Sequence, residues 1–361
     1  MPKDNFWKDK KVLITGHTGF KGAWLALWLE YLGAQVIGFS IDVPTKPALF
    51  KLIKYKNLKT VWADVRNIKL LTKTIKRYKP EIIFHLAAQP LVRSSYRLAK
   101  ETFEINAMGT ANVLEAIKNT SSVRAAVMIT TDKVYANLES RHAVYREGDA
   151  LGGYDPYSAS KAAAELVIDS YRNSFFNVAE YKKSHQVLIA SARAGNVIGG
   201  GDFALDRLVP DCICSALKNE SILIRNPNAT RPWQYVLDPL YGYLLLGEKL
   251  LQGKKEFATA WNFGPRLSDA KPVKWMVAEF CKLWGQGLGM QVSRGNHPHE
   301  AGFLKLNSQK AKKLLGWESR WDIKTSLKHT VTWAKLFEAR ASIKEICMDQ
   351  IEEYMQSGDK K

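Results

Sequence analysis

The strongest constraint on the fold is a strand, a glycine-rich turn and a helix that follow one another in the run KVLITGHTGFKGAWLALWLEYLG. Lys11–Thr15 is an apolar run of the buried-strand type, and Trp24–Leu32 is apolar enough for a helix packed on a sheet. Between them, Gly16, Gly19 and Gly22 permit a tight turn, a close approach of the backbone to a pyrophosphate and close helix–strand packing. The N-terminus of such a helix offers free N–H groups, so this unit predicts a dinucleotide-binding site.

Apolar strands and helices are predicted to alternate as far as residue 193. The further strands are predicted at residues 35–40, 58–63, 81–86, 125–130 and 185–192. The further helices are predicted at residues 70–78, 103–118 and 157–175. Because this alternation is typical of a parallel sheet covered on both faces, the expected fold class is α/β, a Rossmann-type doubly wound parallel sheet.

The alternation ends after Arg193, where the glycine-rich segment GNVIGGGD is followed by irregular segments. This change predicts a smaller, mixed α/β C-terminal substrate domain that closes over a ligand. A helix predicted at residues 236–251 could return to the first domain. The expected division is a dinucleotide-binding domain at 1–193 with a return segment at 236–262, a substrate domain at 194–235 and 263–352, and a polar tail at 353–361.

The net charge of +18 allows nucleic acid, a membrane surface or an acidic small molecule as the partner. The lysines are scattered, without a basic stretch interleaved with aromatic residues, so we expect neither nucleic-acid nor membrane binding. No apolar run approaches the roughly 20 residues of a membrane span, and no signal-peptide core precedes the first strand, which favours a cytoplasmic protein. The four cysteines are too few for a disulfide framework, and no metal site is expected.

A Tyr-x-x-x-Lys spacing places Tyr157 and Lys161 one helical turn apart on the helix predicted at 157–175. A lysine in that position lowers the pKa of the phenol and holds the ribose of a nicotinamide cofactor, so the tyrosine can remove a hydroxyl proton while hydride leaves. Alone, the spacing is more often a surface pair. Downstream of the glycine turn, it indicates a dehydrogenase-type active site.

Thr131, Asp132 and Lys133 follow the strand predicted at 125–130, and ligands of open α/β sheets bind at the carboxyl ends of the strands. Thr131 can hydrogen-bond the reacting hydroxyl. Asp132 and Lys133 add an acid and a base to what an oxidoreductase requires, although a capped, solvated turn is the alternative. Because the Tyr157–Lys161 pair is present, we expect all five residues to be catalytic.

The corner after the second predicted strand bears on the choice of cofactor. Ser40 ends that strand and Asp42 lies two residues beyond it, near the position where an acidic residue is expected to hold the ribose hydroxyls. No basic residue stands at this immediate corner to hold an additional phosphate. NAD is therefore favoured over NADP.

With these motifs, six further stretches resemble the nucleotide-sugar 4,6-dehydratase branch of the short-chain dehydrogenase/reductase superfamily, over nearly the whole chain. They are HLAAQPLVRSSY (85–96), NAMGT (106–110), GNVIGGGDFALDRLVPD (195–211), RPWQYVLDPL (231–240), NFGP (262–265) and HEAGFLKLNSQKA (299–311). Within the branch, the dTDP-glucose enzymes carry Asp-Glu where this chain has Asp132-Lys133. The Thr-Asp-Lys segment, with RPWQ and GNVIGGGD, is similar to the enzymes that act on CDP-glucose.

The resemblance implies an NAD-dependent dehydration. Tyr157, assisted by Lys161 and Thr131, takes the proton from the glucose 4-hydroxyl while hydride goes to NAD⁺. Asp132 protonates the departing 6-hydroxyl, Lys133 acts as or assists the base at C5, and hydride then returns to C6. A lysine is a base only if its pKa falls well below the usual value of about 10.4.

The resemblance also implies binding residues. The expected cofactor contacts are Gly16, Thr18, Gly19, Phe20, Gly22, Ser40, Asp42, Asp64, Val65, Leu86, Ala87, Ala88, Tyr157 and Lys161. The expected substrate contacts are Gln89, Arg93, Asn196, Arg207, Arg231, Tyr235 and His299. Among them, the arginines suit a diphosphate because the guanidinium group is a planar fork of donors.

The family usually forms homodimers through two helices per subunit, which implies a homodimer or a tetramer built on residues 103–118 and 157–175. Two alternatives remain open at this point. One is another nucleotide-sugar 4,6-dehydratase or a 4-epimerase that acts on a dTDP-, UDP- or GDP-hexose. The other is a non-catalytic NAD-binding regulator.

Overall fold

The computed structural model describes residues 5–285, 287–293 and 302–358. Its strands are β1 (Lys11–Thr15), β2 (Gln35–Ser40), β3 (Lys59–Trp62), β4 (Ile82–His85), β5 (Ala125–Ile129), β6 (Leu188–Ala194), β7 (Asn196–Ile198), β8 (Ile222–Ile224), β9 (Thr230–Tyr235), β10 (Ala260–Phe263), β11 (Ala270–Pro272) and β12 (Met290–Val292). Its helices are α1 (Phe20–Tyr31), α2 (Leu49–Leu52), α3 (Ile68–Tyr78), α4 (Val92–Arg97), α5 (Ala99–Phe103), α6 (Gly109–Lys118), α7 (Pro156–Ser174), α8 (Leu208–Leu217), α9 (Leu237–Leu251), α10 (Val273–Trp284), α11 (Ile323–Glu338) and α12 (Ile343–Gln356).

In the described residues, seven parallel strands form the main sheet, in the order β10-β6-β5-β4-β1-β2-β3. The direction in which the chain adds strands reverses between β1 and β4, which opens a crevice at the carboxyl ends of the strands. Strands β4, β5 and β6 are buried over their whole length because helices cover both faces of the sheet. The predicted α/β fold with a Rossmann-type parallel sheet is confirmed.

Helix α1 is buried on nearly all sides, which explains its uninterrupted apolar sequence. Its residues from Gly22 to Leu29 are buried, and it packs against β1, β2, α9 and α12. Trp28 stacks on Tyr241 of α9 and meets Tyr354 of α12 edge-on, at centroid distances of 6.4 Å and 5.8 Å. This packing anchors the glycine turn that precedes the helix.

The helix predicted at 103–118 begins earlier and is interrupted. A π-helical turn at Glu104–Met108 separates α5 from α6. Within this turn, the Oδ1 of buried Asn106 accepts from the backbone N–H of Gln89 at 2.9 Å, and its Nδ2 donates to the Gln89 carbonyl at 3.1 Å and to Ser160 Oγ at 2.9 Å. Asn106 therefore ties the loop after β4 to α7.

The polar tail expected from residue 353 is wrong at its start, because α12 continues to Gln356. Tyr354 is fully buried, and its hydroxyl donates to Asp238 Oδ1 at 2.7 Å. The cause is the spacing of apolar residues by three and four along α12, which turns one face of the helix towards the core.

The second region of the molecule contains a three-stranded sheet in the order β11-β9-β7 and the pair β12-β8. In the sequence, α9 and β10 come between β9 and β11 of this region. In space, α9 packs on β5 and β6, and β10 pairs with β6 of the main sheet. The segment that was expected to return to the first domain thus lies against the main sheet. The division into domains at the predicted residues stays a prediction. Among the residues that the structure describes, no helix is long and apolar enough to cross a membrane.

Candidate active site

One cleft collects most of the residues that were expected to react or to contact the substrate, together with Phe20 from the expected cofactor contacts. It opens at the carboxyl end of β5 and extends along β7, β9 and the start of α8. Its lining includes Phe20, Arg93, Thr131, Asp132, Lys133, Tyr157, Asn196, Arg207 and Arg231. Over residues 5–285, 287–293 and 302–358, no group of three or more His, Cys, Asp or Glu side chains could hold a metal ion.

Two glycines of the first turn are required by the protein itself. Gly16 has a φ of +75°, and a Cβ there would lie 2.7 Å from the backbone N of Ala87. A Cβ on Gly22 would lie 2.1 Å from the carbonyl oxygen of Gly16. Both contacts are impossible for a real side chain, so the turn can form in this shape only with glycine at these positions.

Gly19 differs, because nothing in the protein excludes a side chain there. A Cβ would meet only the carbonyl oxygen of Gly16, at 3.5 Å, which is an ordinary contact. Gly19 precedes α1, whose N-terminus has no side-chain cap and no acidic residue in its first turn. The open space therefore lies where free N–H groups point outwards, and this arrangement fits a pyrophosphate.

A buried histidine that the sequence analysis missed lies beneath this turn. His17 is fully buried, its Nδ1 is 2.8 Å from Ser40 Oγ, and its Nε2 is 3.1 Å from Thr60 Oγ1. Burial lowers the pKa of His17 to about 4, so the ring is neutral at physiological pH. The signal in the sequence was Gly38 in the middle of β2, since a Cβ there would lie 2.3 Å from the His17 ring.

The two expected ribose contacts at the corner after β2, Ser40 and Asp42, have different surroundings. The Ser40 hydroxyl is bound to His17 and lies 3.4 Å from the backbone N of Thr18. The Thr18 hydroxyl donates to the backbone carbonyl of Asp42 at 2.6 Å, and Asp42 itself is exposed. The carboxylate of Asp42 is therefore at the surface, next to the turn.

The remaining expected cofactor residues lie on either side of this corner. Burial opposes ionisation of Asp64, but hydrogen bonds from Arg66 outweigh it and lower the pKa of this carboxyl, which is 2.6 Å from the guanidinium group. Val65 is buried beside it. Leu86, Ala87 and Ala88 follow β4 and are half-buried.

Tyr157 and Thr131 both line the cleft. Burial raises the pKa of Tyr157 to about 12, and the hydroxyl of Thr131 and the charge of Arg207 offset only part of that rise. Lys161 lies one turn further along α7 and is buried, and its Nζ donates to the carbonyl of Ile129 at 3.1 Å. The expectation that Lys161 lowers the phenol's pKa thus differs from the structure, because burial of the phenol dominates.

Lys161 is itself perturbed by its surroundings. Burial lowers the pKa of Lys161 to about 8, and Glu165 on the next turn of α7 opposes that change. Lys21, to which the sequence analysis gave no role, also lines the cleft. Burial first, and then the charges of Lys161 and Arg207, lower its pKa to about 7. Only the folded structure brings these cations together.

Asp132 is a buried acid of the cleft. It is 1% exposed, and burial raises its pKa although Lys133 opposes the change. Its Oδ1 accepts from Thr131 Oγ1 at 3.0 Å, and its Oδ2 is buried with no hydrogen-bond partner among the described residues. A protonated carboxyl in this place can give a proton to a ligand. Lys133 lines the same cleft.

The expected substrate-binding arginines lie in the cleft on different elements. Arg207 precedes α8 and pairs with Asp202 at 3.1 Å, whereas Arg93 on α4 pairs with Asp206 at 2.8 Å. Arg231 on β9 is 7% exposed, and its NH1 donates to the carbonyls of Thr230 and Gly302. Asn196 on β7 also lines the cleft.

Two expected substrate residues, Gln89 and Tyr235, are not brought into this group. The Gln89 side chain donates to the Leu91 carbonyl at 3.2 Å and to Thr102 Oγ1 at 2.9 Å, which fixes the loop after β4. Tyr235 is fully buried, and its hydroxyl donates to Gln350, so the expected contact with the nucleotide is not seen and the residue belongs to the core. His299 lies outside the described residues.

Comparison with known proteins places this geometry in a family. A family model described as GDP-mannose 4,6 dehydratase matches residues 13–330. The chain is 48% identical, over 353 residues, to the CDP-glucose 4,6-dehydratase of Salmonella typhimurium, which covers 97% of this chain and 98% of that protein. The chain belongs to the nucleotide-sugar 4,6-dehydratase family.

Solved structures with lower identity share the fold. An epimerase, Mth375 of Methanothermobacter thermautotrophicus, superposes with a TM-score of 0.82 at 23% identity, over 94% of this chain and 96% of that chain. The dTDP-glucose 4,6-dehydratase of Bacillus anthracis, solved in complex with NAD, gives a TM-score of 0.75 at 21% identity, over 93% of this chain and 99% of that one. The extended Rossmann architecture is therefore common to both activities.

Proposed function

We propose that this chain catalyses the NAD-dependent dehydration of CDP-D-glucose to CDP-4-dehydro-6-deoxy-D-glucose. The observation that carries the proposal is the buried carboxyl of Asp132, whose Oδ2 has no partner among the described residues, in the same cleft as Tyr157. A 4-epimerase requires a proton-transferring tyrosine but no additional acid. The relative that is 48% identical carries the proposed activity in its name, which supports CDP-glucose as the substrate.

The described residues fit NAD as the cofactor. Gly19 leaves space at the N-terminus of α1 for the pyrophosphate, and the Ser40–Asp42 corner would hold the ribose hydroxyls. Asp64 and Val65 would flank the adenine, and residues 86–88 with Lys161 would hold the nicotinamide ribose. When bound, NAD⁺ supplies a reversible hydride acceptor.

Tyr157 acts first, as the base for the 4-hydroxyl of the hexose. Thr131, which lines the same cleft, would hydrogen-bond the reacting oxygen and orient it. Because the pKa of Tyr157 is about 12 in the structure, its ionisation depends on nearby cations. Lys161, with a pKa of about 8, carries a proton in most of the molecules at neutral pH and can supply this charge.

Elimination follows once C4 is a ketone, because the ketone acidifies the proton on C5. Lys133 acts as, or assists, the base that removes that proton, and Asp132 protonates the departing 6-hydroxyl, which leaves as water. The raised pKa of Asp132 favours the protonated acid that this step requires. Hydride returned to C6 and a proton returned to C5 complete the reaction with no net change in the cofactor.

The diphosphate is assigned to Arg207 and Arg231. Both line the cleft, and both interact electrostatically with the reacting residues: Arg207 favours the ionised form of Tyr157, and Arg231 that of Asp132. Their planar forks can each bind two phosphate oxygens. The hexose would then lie between this pair and Tyr157.

The test is to incubate the purified protein with NAD⁺ and, separately, with CDP-, dTDP-, UDP- and GDP-glucose, and to record the product masses. Loss of one water from CDP-glucose, without net accumulation of NADH, is the expected result. Loss of water from another nucleotide sugar instead would keep the chemistry and change the substrate. A product of unchanged mass with an inverted C4 centre would replace the dehydratase by an epimerase.

We further propose a cytoplasmic homodimer in which α5, α6 and α7 form the contact. Apolar side chains stand exposed on these helices and on the turn between the first two, among them Phe103, Met108 and Leu166, the last with 61% of its surface accessible. Sedimentation should give twice the chain mass for the wild type and one chain mass for Leu166→Glu. A monomeric wild type would overturn the dimer, and four chain masses would indicate a tetramer.

A further inference from the structure

The wall of the cleft, formed by residues 202–231, contains carboxylates, although the proposed ligand is an anion. Two of them have an evident task. Asp202 holds Arg207 at 3.1 Å, and Asp206 lies 2.8 Å from Arg93 and 2.6 Å from Arg225. These two carboxylates hold the guanidinium groups of the cleft in place through ion pairs. They leave one acid of this wall, Asp211, to be explained.

Asp211 lies in the first turn of α8, lines the cleft and has 38% of its side chain exposed. Burial raises the pKa of Asp211 to about 6, and Asp206 and Asp202 raise it further, while Arg225 lowers it. The surroundings therefore disfavour a charge at this position. A carboxylate kept at an unfavourable place that a ligand can reach is a candidate for a hydrogen bond with the ligand.

Arg225 faces the same part of the cleft from the end of β8. Its NH1 is 2.6 Å from Asp206 and its NH2 is 3.3 Å from Asp211, so the guanidinium group is held on two sides. Each of these nitrogens carries a second N–H. Asp211 and Arg225 together offer a fixed pair, an acceptor beside a donor.

The position of this pair along the cleft follows from the electrostatic neighbours. Burial dominates the pKa shifts of Tyr157 and Asp132, but Arg207 and Arg231 act on them as well. The charges that shift the pKa of Asp211 are instead those of Arg225, Asp206, Asp202 and Arg93. The order is thus reacting groups, then the two arginines assigned to the diphosphate, then the Asp211–Arg225 pair. A nucleotide sugar in this order puts its base at the pair.

An acceptor beside a donor matches one pyrimidine edge. Cytosine presents an amino donor at N4 next to acceptors at N3 and O2, so Asp211 can accept from N4 while Arg225 donates to N3 or O2. Uracil and thymine present a carbonyl oxygen at position 4, which would face the carboxylate with no proton between them. Such a mismatch leaves polar groups unpaired and is strongly rejected.

We propose that Asp211 and Arg225 bind the edge of the base and select cytosine over uracil and thymine. The proposal rests on the proposed function for the direction in which the substrate lies. It assigns base selection to two residues that the resemblance did not single out.

The test compares the affinities of CDP and UDP for the full-length protein by calorimetry, which needs no turnover. The wild type should bind CDP at least tenfold more tightly than UDP. In Asp211→Asn the amide can donate to O4 or accept from N4, so the ratio should fall by about 10-fold to 100-fold. Arg225→Met, which keeps the length of the side chain, should lose most of the preference as well.

Asp202→Asn is the matched control, because it makes the same chemical change in the same wall. It should weaken CDP and UDP equally and leave their ratio at the wild-type value. Thermal unfolding of each variant establishes that it is folded. An unchanged ratio in Asp211→Asn and Arg225→Met, or a wild type without preference, overturns the assignment of base selection.

The two proposals can fail separately. Preference for CDP that vanishes in Asp211→Asn, in a protein that loses no water from CDP-glucose, supports base selection and refutes the dehydratase. Dehydration of CDP-glucose by a protein in which both variants keep the wild-type ratio refutes base selection alone.

Discussion

The floor and the wall of the cleft hold charge in opposite ways. The floor, formed by residues 130–133, the first half of α7 and Arg193, contains the pair Arg193–Glu165, whose side chains are 4% and 3% exposed. The wall, formed by residues 202–231, contains the pair Arg225–Asp206, whose side chains are 22% and 39% exposed. Breaking a buried pair is strongly destabilising, whereas exposed pairs contribute little.

The floor pair also belongs to a wider network. Glu165 accepts hydrogen bonds from Thr130, from Ser191 Oγ at 2.8 Å and from Arg193 NH2 at 2.9 Å, and Arg193 NH1 donates to the Tyr135 hydroxyl at 2.9 Å. This network fixes the strand end that carries Thr131 and Asp132. The comparison shows that the reacting groups are supported by buried contacts whose loss would destabilise the fold. The groups proposed to bind the ligand are held by more exposed ion pairs, whose loss should cost less stability.

The largest expected effect is on the floor, in Tyr157→Phe. Loss of the proton acceptor should lower kcat by about 10²-fold to 10⁴-fold, because this is the usual contribution of a positioned acid or base. Since the wall is unchanged, the affinity for CDP should stay at the wild-type value. Turnover and calorimetry on the same sample measure both. A large loss of CDP affinity would show that floor and wall are not separate.

Glu165→Gln should destabilise the fold by about 3 to 5 kcal/mol, because it leaves the buried Arg193 without a counter-charge. Asp169→Asn is the control, since it also removes an acid from α7. The side chain of Asp169 is 57% exposed and pairs with Arg172. That change should stay within about 0.5 kcal/mol. Denaturant unfolding measures both. Equal losses in the two variants would contradict the contrast between buried and exposed pairs.

The same residue predicts a dependence of stability on pH. Burial opposes ionisation of Glu165, but Arg193 and the hydrogen bonds outweigh it and lower the pKa of this carboxyl in the folded state. Its contribution is therefore complete above the ordinary glutamate pKa of about 4.3 and is lost as the pH falls below that value. Glu165→Gln should show a smaller loss of stability in acid than the wild type.

On the wall, Arg207→Met should raise the KM for the substrate by about 10-fold to 100-fold, since a charge-assisted hydrogen bond to phosphate is lost. The loss of stability should stay below that of Glu165→Gln, because the Arg207 side chain is 35% exposed and water can reach the carboxylate of its buried partner Asp202 once the arginine is removed. Steady-state kinetics and thermal unfolding test both statements. A fall in stability comparable to that of Glu165→Gln would mean that this wall residue supports the fold.

The smallest expected effect on stability is at the glycine turn. Gly19→Ala meets only an ordinary 3.5 Å contact, so stability should change by about 0.5 kcal/mol or less, while affinity for NAD⁺ should fall about tenfold or more. Gly22→Ala is the contrasting variant, because its Cβ would lie 2.1 Å from a backbone oxygen and must disturb the fold. Unchanged NAD⁺ affinity in folded Gly19→Ala would remove the pyrophosphate from this place.

Periodicity and glycine spacing predicted β1 and β2 with the bounds that the structure has, because both signals are local. They could not reveal the π-helical turn at Glu104–Met108, which continues a helical pattern with one extra residue per turn. Tyr235 was assigned to the nucleotide on family likeness, yet it packs in the core against Trp321, with tilted rings at a centroid distance of 4.8 Å. Tertiary packing decides whether a residue of β9 faces the core or the cleft, and the local sequence does not show it.

The site shows the same division between local and tertiary signals. Tyr157 and Lys161 are one helical turn apart, so their spacing alone indicated a function. Lys21 and the pair Asp211–Arg225 could not be found in this way. Their partners lie on other elements, and only the fold brings these groups within reach of one another.

The histidine beneath the glycine turn has a consequence for redesign of the cofactor preference. His17 joins the turn to Ser40 at the end of β2 and to Thr60 on β3, at the corner where a phosphorylated ribose would have to be accepted. Replacing Ser40 by a basic side chain would therefore also remove a partner of a buried imidazole. An exchange of NAD for NADP would have to alter the turn and the corner together, with a paired change at His17.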